Sequence, residues 1–181
     1  MNLAEIYVFY LRIADRTQYK PKDISRKGRA LLAYAVRKKY GFDSLPAIEK
    51  GEHEKPYFAG YPDIHFNISH SGDYVITALA EIPVGIDIEE KQDREFLSLG
   101  RLVFSPSEKE HFMTCGNRMD EFFRLWVRKE AYIKWTGEGL SRDLRELPLD
   151  GYYEHLAIDP SYDCAVQAGE PFHVTLEEVF L

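Results

Sequence analysis

Cysteine is nearly absent: Cys115 and Cys164 are the only two in 181 residues, and no C-x-x-C spacing occurs. A disulfide framework and a cysteine zinc site are thereby disfavoured, leaving two plain thiols. Long apolar runs are missing as well. A membrane-spanning helix needs roughly 18 consecutive apolar residues. None exists here, and Asn2 and Glu5 break up the opening residues, so neither a span nor a signal peptide is expected and the chain reads as cytoplasmic. Excess positive charge is also lacking. With 23 Lys and Arg against 30 Asp and Glu, the formal net charge of -7 disfavours nonspecific nucleic-acid binding, which depends on neutralising phosphates. Neither an S-x-x-K motif nor a Gly-rich Walker pattern appears, so acyl transfer and P-loop ATP hydrolysis have little support.

What is present argues for one compact folded unit. Hydrophobic residues make up 45 %, with 12 Tyr and 11 Phe, far from the composition of disordered chains. Residues 6–13 read as a strand. Ser25 is a candidate cap for a helix over 26–40, with Gly41 as its stop. A short strand is expected at 45–48, then a Gly- and Pro-punctuated loop over 51–62 containing Lys55-Pro56. Residues 65–69 and 73–80 alternate like a hairpin. Pro83 then breaks the pattern and the chain restarts: a strand at 84–89, helices over 105–115 and 119–136, and short strands near 152–158, 163–168 and 172–179. Strand, helix and hairpin occur on each side of the break. An α+β fold is therefore expected, a pseudo-twofold pair of halves over 1–83 and 84–181. The stretch 91–104 carries no clear signal. Such a chain needs no second copy, so a monomer is expected.

The chemistry concentrates in Val84-Gly85-Ile86-Asp87-Ile88-Glu89, where alternation puts Asp87 and Glu89 on one strand face and Val84, Ile86 and Ile88 on the other. Taken alone, the acids could be a solvated sheet face. On the helix over 119–136, Met119, Phe122, Phe123, Trp126 and Ile133 form an apolar stripe with Glu130 in or beside it. Lys134, one turn on, could satisfy Glu130 within the helix. If that face instead packs over the acidic strand, three carboxylates converge, and repulsion raises their pKa values unless a divalent ion neutralises them. An all-oxygen donor set favours Mg²⁺ over zinc, and Mg²⁺ favours a phosphate-bearing substrate. His70, in the polar turn Asn67-Ile68-Ser69-His70-Ser71-Gly72, could face an anion, although a lone turn histidine is more often simply exposed. Basic residues cluster in two segments, one around Lys20, Arg29 and Arg37, the other around Arg124, Lys129 and Lys134.

In this order, these segments resemble the Sfp-type 4'-phosphopantetheinyl transferases. Phe66 to Gly72 is similar to the family's first motif, Val84 to Glu89 to its second, and Trp126 to Lys134 with Gly137-Glu138-Gly139-Leu140 to its third. Lys55-Pro56 and the tail Asp159-Pro160-Ser161-Tyr162-Asp163-Cys164 add to the likeness, which covers roughly residues 20 to 180. The resemblance implies transfer of phosphopantetheine from coenzyme A to a serine of an apo acyl, peptidyl or polyketide carrier protein, with release of 3',5'-ADP. It implies Asp87, Glu89 and Glu130 as Mg²⁺ ligands, with Lys134, His70 and Glu130 in catalytic roles. Coenzyme A would meet Lys55, Ser69, His70, Arg29 and Lys129, with one of Lys20, Lys22 or Arg26 at its 3'-phosphate. The carrier is expected to dock on the helical region 105–128, where Arg118, Arg124 and Arg128 lie near Phe112 and Met113. Two rivals are another Mg²⁺-dependent phosphoryl enzyme, such as a nucleotide pyrophosphatase, and a non-catalytic binder of coenzyme A or a carrier.

Overall fold

The computed structural model describes residues 3–92, 96–139 and 142–181. Leu140, the end of the third motif, lies outside the described residues. The first sheet has the order β4-β5-β1-β9, built from β1 (Ala4–Arg12), β4 (His65–Ser71), β5 (Tyr74–Ala80) and β9 (Phe172–Glu178). β1 runs antiparallel to β5 and parallel to β9. A second, antiparallel sheet has the order β6-β8-β7, from β6 (Val84–Glu90), β7 (Tyr152–His155) and β8 (Tyr162–Ala168). A separate pair joins β2 (Ile48–Lys50), at the end of the strand expected over 45–48, to β3 (Pro56–Phe58), which lies inside the expected loop. The protein is α+β, and strand pairing crosses the break at Pro83, because β9 returns to the first sheet.

Alternation within the strands explains the layering. Ile6 and Val8 of β1, with Ile76 and Ala78 of β5, pack against Val84, Ile86 and Ile88 of β6 and Cys164 and Val166 of β8, so the two sheets meet face to face. The other face of the first sheet, including Phe9, Leu11, Val75 and Leu79, is covered by helix α1 (Pro21–Tyr40) through Ile24, Leu31, Leu32, Ala35 and Val36. α1 begins five residues before the expected start, and Ser25 lies inside it. Pro21 at the first helical position presets φ, and the Asp23 carboxylate accepts the backbone N–H of Lys20 at 3.1 Å, which together outweigh Ser25 as a start signal.

On the outer face of the second sheet lies α4 (Arg118–Thr136), with Val127 and Ala131 against Ala165. α3 (Pro106–Thr114) is capped by Ser105, as its Ser-Pro start implied. The unassigned stretch contains α2 (Phe96–Val103). No helix among the described residues is long and apolar enough to cross a membrane.

His155, on β7, is a titratable group caught in this packing. Burial, with Arg124 and Arg128 nearby, pushes its imidazole down from 6.5 to about 4. A base whose folded pKa is depressed lends stability that is present above pH 6.5 and is lost as the pH falls toward 4. The expected contribution is on the order of 2–3 kcal/mol. Urea unfolding of the wild type and His155→Gln between pH 7 and pH 4 measures it, and the wild type should lose more stability than the variant across that window.

Candidate active site

The free edges of the two sheets meet where β4 lies beside β6. Ser69, on β4, donates from Oγ to Asp87 Oδ1 at 2.7 Å, and Ser71 Oγ donates to Glu89 Oε2 at 2.8 Å. From the other side, Lys134 reaches in from the last turn of α4: its Nζ is 2.6 Å from Asp87 Oδ1 and 2.9 Å from Ser69 Oγ. Gly85 makes this approach possible, since a Cβ there would fall 2.1 Å from the carbonyl oxygen of Ala131 and 2.3 Å from the Trp135 nitrogen. Any larger residue would push α4 off the strand.

Asp87 is only 3 % exposed, and its Oδ2 is buried with no hydrogen-bond partner. Removing one partner of such a buried pair costs about 3–5 kcal/mol, because the other charge is stranded. Glu130 stands one turn before Lys134. Its carboxyl is pushed up to about 7 by burial and by Asp87 and Glu89, against the opposing pull of Lys134. The mutual repulsion expected from the sequence is therefore present. Yet among the described residues no three His, Cys, Asp or Glu side chains are drawn together closely enough to grip a metal ion, and Asp87 is bound to Lys134. The acids share a region without closing on one point.

Glu130, Lys134 and Asn67 line a cleft of about 220 Å³, with Lys55 on its far wall. Lys55 Nζ donates to the carbonyl of Trp135 at 2.6 Å, and burial lowers its ammonium to about 8. A second hollow of about 370 Å³ continues past Lys55, walled by Tyr57, Phe66, Pro83 and Trp135. Lys55, Ser69, Asp87, Glu130 and Lys134 are thus brought together, with Glu89 beside them.

Other predicted residues sit differently. His70 points from the opposite face of β4 to Ser69, and its ring is exposed. The surrounding protein mass, then Lys134 and Arg16, hold its imidazole below the ordinary value. Arg16, absent from the sequence reading, accordingly joins His70 as a positive neighbour. Arg29 is exposed on α1. Lys129 is not at the cleft: only 1 % exposed, its Nζ bonds the Val103 carbonyl at 2.7 Å, Glu108 at 2.6 Å and the Leu144 carbonyl at 2.9 Å. Burial lowers its pKa against the pull of Glu108. On the expected docking face, Phe112 belongs to the core and Arg128 lies 3.9 Å over the Tyr153 ring, leaving Arg118, Arg124 and Met113 exposed. Asn67 was missed, and its only sequence signal is a polar residue alternating with apolar ones on β4.

Repulsion at Glu130 has a stability consequence. A carboxyl whose folded pKa is raised from 4.5 to about 7 costs stability progressively as the pH rises through that interval, and in full above it. With a chelator present at pH 8, Glu130→Gln should be more stable than the wild type by about 1–3 kcal/mol, and the gain should vanish near pH 4. Denaturant melts at the two pH values read this directly.

Comparison with known proteins places this arrangement. Residues 83–162, which carry β6, α4 and most of the second sheet, match the profile of the 4'-phosphopantetheinyl transferase superfamily. A 4'-phosphopantetheinyl transferase of Bacillus subtilis is 39 % identical over 150 residues, covering 80 % of this chain and 64 % of that protein. The transferase psf-1 of Bacillus pumilus is 33 % identical over 164 residues, covering 80 % of this chain and 70 % of the relative. The transferase Sfp of Bacillus subtilis strain 168 is 32 % identical over 178 residues, covering 86 % and 79 % respectively. Relatives 33 % and 32 % identical over most of both chains show that the chain belongs to the 4'-phosphopantetheinyl transferase superfamily.

Proposed function

We propose that this protein transfers the 4'-phosphopantetheine group of coenzyme A to a serine of an apo carrier protein and releases 3',5'-ADP. The observation that carries the reading is that Glu130 and Lys134 line one cleft, with Asp87 bonded to Lys134 beside it, in a chain of this family. The serine oxygen forms a bond to the phosphorus bearing the pantetheine arm, and the bond from that phosphorus to the bridging oxygen of the pyrophosphate breaks. Glu130, whose carboxylate lines the cleft beside Lys134, takes the serine proton. Lys134 places positive charge where the leaving phosphate gains negative charge, and Lys55 and His70 border the path of the nucleotide.

Asp87, Glu89 and Glu130 suit Mg²⁺ in donor chemistry. They are all-oxygen and in surplus over Lys134, and the buried Oδ2 of Asp87 lacks a partner. When bound, Mg²⁺ supplies Lewis-acid charge neutralisation at a pyrophosphate. The exposed residues Arg118, Arg124 and Met113 offer a basic and apolar surface to an acidic carrier.

Incubation with coenzyme A, Mg²⁺ and an apo carrier protein, followed by intact-protein mass spectrometry, should show the phosphopantetheine mass on the carrier and none without Mg²⁺. Release of phosphopantetheine to water with no carrier adduct would point to a pyrophosphatase, and no turnover to a binder. Glu130→Gln and Asp87→Ala should each lower kcat by about 10²-fold or more while far-ultraviolet circular dichroism stays at the wild-type value.

A further inference from the structure

A second use of the alternation in β4 remains outside the reaction just described. Asn67, Ser69 and Ser71 all face β6, and each is bonded to it. The Asn67 side-chain oxygen accepts the N–H of Ile86 at 3.0 Å, Ser69 donates to Asp87 at 2.7 Å, and Ser71 donates to Glu89 at 2.8 Å while accepting the N–H of Glu90 at 3.0 Å. β6 is the edge strand of its sheet, so its outward N–H groups have no ladder partner, and side chains from another sheet answer those of Ile86 and Glu90 instead. Both strands repeat about every 6.6 Å for alternate residues, which keeps the contacts in step.

The hydroxyls in this row are fully engaged. Ser71 Oγ donates and accepts at once, which fixes its rotor and with it one orientation of the Glu89 carboxylate. Ser69 Oγ likewise donates to Asp87 and accepts from Lys134. The hairpin tip is pressed into place. Gly72, at φ +50°, lies so close that a Cβ would fall 2.2 Å from Tyr162 Oη and 2.7 Å from Glu90 Oε2, and Tyr162 Oη accepts the N–H of Asp73 at 3.0 Å.

We propose that Ser69 and Ser71 are positioning residues that set the spacing and orientation of the Asp87 and Glu89 carboxylates, with Asn67 holding the β6 backbone beside them through the N–H of Ile86. This rests on the reading of Asp87 and Glu89 as cation ligands. Supporting groups of this kind typically change metal affinity by about 10- to 100-fold when removed.

The test titrates Mn²⁺ into the coenzyme A-free protein, counting free Mn²⁺ by electron paramagnetic resonance, for the wild type, Ser71→Ala and Ser71→Thr. The affinity of Ser71→Ala should fall by about 10-fold or more, with the KM for coenzyme A at saturating metal unchanged, and Ser71→Thr, which keeps the hydroxyl, should restore it. Wild-type Mn²⁺ affinity in Ser71→Ala, or a raised KM for coenzyme A with unaltered metal binding, overturns the positioning role and leaves the cation reading standing. A wild type that binds no Mn²⁺ overturns both.

Discussion

A carboxylate held almost out of water must be answered by its neighbours, and at Asp87 the answers come from separate elements. Ser69 on β4 and Lys134 on α4 share a single oxygen, and α4 can lie close enough only because position 85 has no side chain. At an effective dielectric near 20, opposite charges at 4 Å attract by about 4 kcal/mol, enough to tie helix to strand only if the geometry is held. The edge of the first sheet, the edge of the second and the last turn of α4 are thereby joined around one side chain. The floor of the cleft is bonded to all three elements.

Two lysines on α4 show how differently the same residue type can be employed. Lys129 is surrounded by the Val103 and Leu144 carbonyls and Glu108, so its charge is met in full and its work is to tie α3 and the segment after α4 to the helix. Lys134 faces a group of acids that outnumber it. Glu130 feels the surplus as a carboxyl moved toward neutrality. A purely structural arrangement would discard such repulsion, and its retention at the cleft is a sign of chemistry there.

Long one-sided patterns were legible in the sequence. Strand alternation at Val84–Glu90 and the helical stripe at Arg118–Thr136 each fix a face, and the acids and Glu130 fell where those periods put them. α2 escaped because eight residues, with Gly100 among them, are too short a window for a helical period to stand out. The family resemblance puts Lys129 at coenzyme A through its place in the third motif. One step along a helix is about 100° of rotation, however, and it points away from the strand acids. The bonds from Ser69 and Ser71 across to β6 required knowing which sheet edges meet, which local periodicity does not contain.

The parallel pairing of β1 with β9 gives this architecture a schedule. Register partners such as Ile6 and Val174 are separated by nearly the whole chain, so their contact closes a very long loop and contributes only after most other structure has formed. During synthesis the first sheet must wait with the β1 edge open until residues 172–178 emerge, while β6 and α4 are already available to fold against each other. An unpaired edge of that kind is a place where a nascent chain can mispair with a neighbour. Closure of the first sheet thus waits on its last strand, which must find β1 across nearly the whole chain.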